Sequence, residues 1–217
     1  MQGNQIITIG REFGSGGKII GEKLAERLGI RCYDKELIML ASQQSGLCTE
    51  VFESHDEKPV NSFFYSLAMD TYAAGHSFSG YMDVPLNQKV FLAQFETIQR
   101  LAEKESCVIV GRCADYALSS FSNTIHVFVC AELEDKVKRT AELFELPKDK
   151  SLDLITKTDK KRANYYNYYS NKKWGVAASY DLCINSSKVG LDGAVDVILD
   201  YIKIKNEHGI SNGLFLR

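Results

Sequence analysis

The stretch "GREFGSGGKIIG", residues 10–21, decides the fold of this 217-residue chain, because five of its 16 glycines fall within those twelve positions. The run before it, "QIITIG" (residues 5–10), is short, continuously apolar and rich in β-branched side chains, as a strand buried on both faces requires. Behind it, "KIIGEKLAERLG" spaces Ile19, Ile20, Leu24, Ala25 and Leu28 as one helical face and stops at Gly29, a residue type that caps helix C-termini. The order is therefore strand, glycine loop, helix. A tight turn of this kind aims unpaired backbone N–H groups at one point, and the helix dipole adds partial positive charge there. Gly14, Ser15, Gly16 and Gly17 are accordingly candidate phosphate ligands.

The cation of the loop is out of place. The usual phosphate-binding pattern, GxxxxGK[ST], supplies a lysine for the outer phosphates and a hydroxyl for magnesium. Here Gly17 stands at the lysine position, Lys18 at the hydroxyl position, and Arg11 at the opening glycine. Arg11 and Lys18 flank the loop and are the local candidates for the missing charge. A dinucleotide fingerprint, GxGxxG, is met by Gly14 and Gly16 but has Ile19 where its third glycine belongs. A purely structural turn is the remaining reading.

The rest of the chain alternates strand and helix. "IRCYDKELIMLASQQSG" reads as a strand ending near Tyr33 and a helix entered at Asp34, with Asp34 either a helix cap or a ligand. "NQKVFLAQFETIQRLAEKES" carries an apolar stripe of Val90, Phe91, Phe95, Ile98, Leu101 and Ala102 and leads into a strand, "CVIVG". "TIHVFVC" is a fourth strand, followed by the charged helix "AELEDKVKRTAELF". The segment "LDLITKTDKKRANYYNYYSNKK" is a second charged helix, "YDLCINS" a fifth strand, and "LDGAVDVILDYIKI" a closing helix. This alternation predicts an α/β fold with a five-stranded parallel sheet covered on both faces. Residues 47–86 lose the periodicity and read as an inserted lobe; the tail beyond residue 205 is either frayed or docked on a second copy in a homodimer.

Composition excludes several classes. With 26 basic and 28 acidic residues the net charge is −2, so no overall field favours nucleic acid or a membrane surface. No apolar run is long enough to span a bilayer, and the first residues lack a secretion signal, so we expect a cytoplasmic protein. Six cysteines without metal-ligand spacing read as buried thiols. The four histidines stand apart from any acid, serine or cysteine partner, and His126 falls inside a strand as a core residue.

Together the loop, "YDKEL" (33–37), "VIVGRCADYAL" (108–118), "KRANYYNYYSNKKWG" (161–175) and "YDLCINSSKVGLDGAV" (180–195) resemble the cytidylate kinase-like family. That resemblance implies a single P-loop kinase domain over residues 1–205, of three-layer α/β/α form. An acceptor lobe would occupy residues 47–86, and a lid residues 149–174. The implied activity is transfer of a phosphoryl group from ATP, with Mg2+, to a small phosphorylated acceptor, CMP first. In that frame Gly14 to Lys18 hold the nucleotide phosphates. Arg139 and Ser187 lie by the adenine, although a surface charge is the simpler reading of Arg139. Asp34, Arg112 and Asp115 line the acceptor side; a salt bridge from Arg112 to Asp115 is the alternative for that pair. Lid residues Arg162 and then Lys161 neutralise charge in the transition state, a solvated basic face being the alternative, and Asp159 orients Arg162 or merely pairs with it. A nucleotide-binding sensor without turnover is the rival reading, motivated by the absent loop lysine.

Overall fold

A computed structural model describes residues 4–46 and 85–208. Its centre is a five-stranded sheet in the order β2-β3-β1-β4-β5, with every neighbouring pair parallel. The strands are β1 (Ile6–Arg11), β2 (Arg31–Tyr33), β3 (Cys107–Val110), β4 (Thr124–Cys130) and β5 (Leu182–Asn185). The helices are α1 (Gly17–Leu28), α2 (Glu36–Ser45), α3 (Leu86–Lys104), α4 (Ala114–Ala117), α5 (Leu133–Phe144), α6 (Lys148–Ser170) and α7 (Ser186–Glu207).

Alternation along the strands divides the core in two. Ile7 and Ile9 of β1, with Val108 and Val110 of β3, pack with Ile20 and Leu24 of α1 and Val195 and Ile198 of α7. Their neighbours Ile6, Cys107 and Ile109 face the other way, onto Leu37, Phe91, Ile98, Tyr165 and Tyr169. Because successive side chains of a strand point to opposite faces, an unbroken apolar run serves both layers. The predicted stripe of α3 is buried throughout. At its centre Phe91 stacks on Tyr169 of α6 with ring centroids 3.8 Å apart and planes 8° from parallel.

Several expectations are met and a few are adjusted. α1 ends on Gly29, which has φ 66° and donates back to the last turn. Cys107 and Cys113 are buried, Cys32 and Cys130 half-buried and Cys183 exposed. Burial pushes the thiols of Cys32 and Cys107 up to about 12, as suits inert packing groups. The closing helix starts at Ser186, five residues before the predicted stretch, and kinks at Gly190. Its Asn185 side chain caps the Ser187 amide at 3.0 Å. α2 begins only at Glu36 and is not capped by the Asp34 side chain. Residues 47–84 and 209–217, holding the expected acceptor lobe and most of the tail, lie outside the described residues, as does Cys48. Among the described residues no helix is long and apolar enough to cross a membrane.

The contact between Phe91 and Tyr169 ties α3 to α6 across the core. Phe91→Ala should therefore lower the unfolding free energy by about 3–5 kcal/mol, measured by denaturant titration; a loss below 1 kcal/mol would show that the stack is dispensable.

Candidate functional site

The sheet order places β1 between β3 and β4, with the chain leaving β1 towards β2 and leaving β3 towards β4. The two connections diverge, which opens a crevice at the carboxyl edge between β1 and β3. Of the candidate residues, Arg11, Arg112, Asp115 and Arg162 line a cavity there.

The glycine loop forms one side. Gly14 and Gly16 adopt left-handed conformations, φ 75° and 82°, and Gly16 opens α1 with no side-chain cap hydrogen bond. Ser15 is buried and stitches the loop internally. Its hydroxyl donates to the Glu12 carbonyl at 2.8 Å, and Ser186 Oγ donates to the Ser15 carbonyl at 2.7 Å. Arg139, half-buried on α5, donates to the Gly14 carbonyl, which corrects the reading of a free surface charge. Ser187 is also engaged within the protein: its hydroxyl accepts from the Glu132 amide at 2.9 Å.

The turn after β3 forms the second side. Gly111, Arg112 and Cys113 take positive φ in succession, 78°, 50° and 53°. For two non-glycine residues this is stored backbone strain, the kind that concentrates at working sites. It folds the Arg112 side chain back under the strand edge, where Nη1 donates to the Val110 carbonyl at 3.1 Å and to Asp34 Oδ1 at 2.7 Å. Both groups are shielded, with side-chain exposures of 4% and 14%, so this ion pair matters more than a surface one. Asp34 thus serves Arg112 instead of capping α2. The sequence alternative, in which Asp115 balances Arg112, gives way to a different bond: Asp115 accepts from the Tyr166 hydroxyl at 2.6 Å.

Helix α6 forms the third side. Arg162 Nη1 donates to the Arg11 carbonyl at 3.3 Å, and its guanidinium lies 5.5 Å from the centroid of the Phe13 ring. Asp159 does not serve mainly as an orienter of Arg162. Its Oδ1 accepts the Phe13 amide at 2.6 Å, and its Oδ2 lies 3.6 Å from Lys136 Nζ. Lys136 in turn binds Glu12 at 3.0 Å. Burial and Glu12 push the Asp159 carboxyl up, against the pull of the Phe13 amide, Lys136 and Arg162. Sequence reasoning missed the Glu12, Lys136 and Asp159 network, since nothing in the spacing of three separate elements announces that they meet.

Arg11, Arg112 and Arg162 line one small cavity of about 20 Å³ together with Gly111, Asp115, Tyr166 and Trp174. Lys161, one residue from Arg162, faces away on the exposed surface of α6. Lys18 is half exposed and lies 3.6 Å from Glu22 and 3.5 Å from Asp34. Tyr165, Tyr166 and Tyr169 are buried, so the tyrosine run packs α6 onto the core. His126 contacts Thr8 Oγ1 at 2.9 Å; burial holds it below its ordinary value. The residues present fit a polyphosphate: the glycines take the turn, and α1 opens at Gly16 without a side-chain cap. A protein-built magnesium cage fits poorly, since the described residues contain no group of three acids, histidines or cysteines able to hold a metal, and position 18 carries an ammonium.

Burial raises the Asp34 carboxyl, but Arg112 first, then Arg11 and Lys18, outweigh it and hold the group below its ordinary value. A carboxyl with a lowered folded value stabilises the fold above about pH 4, and this contribution fades as pH falls through that lowered value. The wild type should therefore lose stability in acid in a step that Asp34→Asn removes, read from denaturant midpoints at pH 3, 4 and 7; equal acid sensitivity in both proteins would exclude the pair as its origin.

Comparison with known proteins agrees with this geometry. The model of the cytidylate kinase-like family matches residues 6–188. Among solved structures, an uncharacterised protein from Eubacterium ventriosum is 35% identical, with a TM-score of 0.68 over 92% of this chain and 99% of that one. A shikimate kinase from Bacteroides thetaiotaomicron is 14% identical, with a TM-score of 0.52 over 92% and 98% of the two chains. That likeness shows a shared kinase fold. No curated protein matches. With a family match spanning most of its length, on a five-stranded parallel sheet with a glycine loop after the central strand, the chain belongs to the cytidylate kinase-like family.

Proposed function

We propose that this protein is a cytoplasmic phosphotransferase that moves the γ-phosphoryl group of ATP onto a small phosphorylated acceptor, with CMP the first choice. The observation that carries this reading is the convergence of Arg11, Arg112 and Arg162 on one cavity beside the glycine loop. Three guanidiniums gathered with few carboxylates suit a site where the phosphates of two substrates meet.

In this reading the amides at the start of α1 bind the polyphosphate of ATP, and Arg139 braces the loop through the Gly14 carbonyl. Arg112 binds the acceptor phosphate with its planar fork, while Asp34 sets the orientation of that fork. An oxygen of the acceptor phosphate attacks the γ-phosphorus, the bond to the β–γ bridging oxygen breaks, and ADP leaves with that oxygen's electron pair. A phosphate monoester is largely ionised at neutral pH, so the attacking oxygen needs no general base. Histidine is accordingly not required, in keeping with His126 bound to threonine in the sheet. Arg162 stabilises the charge spread over the transferring group. Magnesium would accompany ATP, and no step is assigned to it. Gly17 at the lysine position favours a second reading, a nucleotide sensor that binds ATP without turnover.

Purified protein incubated with ATP, magnesium and each nucleoside monophosphate should form ADP with one acceptor above the background without acceptor. Arg162→Ala should lower that rate by about 10³-fold and change ATP affinity little. Tight ATP binding with no ADP from any acceptor would favour the sensor, and an Arg162→Ala variant of full activity would remove the lid from the chemistry.

A further inference from the structure

Position 17 carries no side chain because another residue fills the space. A Cβ placed on Gly17 would lie 2.5 Å from Arg11 Cβ and 3.2 Å from its Cγ. The nearer atom, Cβ, is fixed by the backbone of β1 and cannot swing aside. From there the side chain runs to the turn after β3. A Cβ on Gly111 would fall 2.8 Å from the guanidinium carbon and 3.1 Å from Nη2. Two glycines therefore bracket one arginine, one at its stem and one at its head. The head joins Arg112 and Arg162 on the cavity and lies close enough to Asp34 to favour its ionised form.

We propose that Arg11 is the cation that binds the outer phosphates of the nucleotide in place of the loop lysine, along the path a side chain at position 17 would otherwise take. The inference rests on the ATP-binding reading above. In the GxxxxGK pattern, position 11 is a glycine and position 17 a lysine. Here the two are exchanged in type, a cation at 11 and a glycine at 17. These are one geometric change, because the space between β1 and the start of α1 admits one side chain only. The charge then enters from the end of the strand instead of from the first helical turn. It also arrives as a guanidinium, which binds phosphate oxygens through two N–H groups and stays charged at any physiological pH. Lys18, the other nearby cation, is half exposed and lies between the exposed Glu22 and the shielded Asp34.

The test uses the full chain and two measurements, the dissociation constant for ATP with magnesium by calorimetry and the melting temperature. Arg11→Gln keeps the stem packed against both glycines and removes the charge. It should leave melting nearly unchanged and weaken ATP binding by roughly 10- to 100-fold. Gly17→Lys alone should melt at lower temperature and bind ATP poorly. Adding Arg11→Gly to Gly17→Lys should restore the melting temperature and bring ATP binding back to within a few-fold of wild type. If wild type binds ATP and Arg11→Gln binds equally well, the inference fails while the ATP-binding reading stands. If the double variant melts no higher than Gly17→Lys alone, positions 11 and 17 do not share one space and the exchange is refuted. Wild type that fails to bind ATP overturns both readings at once.

Discussion

Packing several guanidinium groups around one half-closed cavity is costly, because like charges withdrawn from water repel one another and lose hydration. The site answers this constraint with fixed partners on different elements. Arg112 has Asp34 from the far side of β3, and Arg162 has a carbonyl of β1 together with the face of Phe13. Arg139 has the Gly14 carbonyl. Each cation thus reports on the position of another part of the fold. An anionic ligand arriving at the crevice would meet charges already held in place, which lowers the ordering cost of binding.

The same constraint links α6 to the loop. Phe13 is held at its amide by Asp159 and at its ring by Arg162, both on α6. Its ring also stacks on Phe144 at the end of α5, 5.8 Å away. Glu12 is held by Lys136 and by the Ala131 amide, 3.2 Å distant. The two non-glycine residues at the start of the loop therefore connect three elements, while the glycines that follow are left to shape the turn. A loop with "EF" in this place is packed directly against α5 and α6.

Legibility differed sharply between fold and site. The runs "IITI", "CVIV" and "TIHVFVC" read as buried strands because a parallel sheet covered on both faces needs unbroken apolar stretches, and all three occur where expected. The α3 stripe was equally plain, since helical spacing is a local property. Asp34 was not: its residue type suits a cap and a ligand alike, and only the fold shows that it leaves α2 uncapped and pairs with Arg112, 78 positions later. The contacts of Arg139 with Gly14 and of Ser187 with Glu132 join separate elements and were equally hidden in the sequence.

What the sequence determined by itself is the alternation of strands and helices and the presence of a phosphate-shaped turn after the first strand, because backbone geometry and burial period are written in neighbouring residues. What tertiary structure decided is how charges pair: Asp34 with Arg112, Asp159 with Phe13 and Lys136, and Arg11 between Gly17 and Gly111. Coulomb attraction and steric exclusion act over a few ångströms in space, whatever the separation along the chain. Only the folded chain, by laying the ends of β1, β2 and β3 side by side and packing α5 and α6 against the loop, brings those groups within that range.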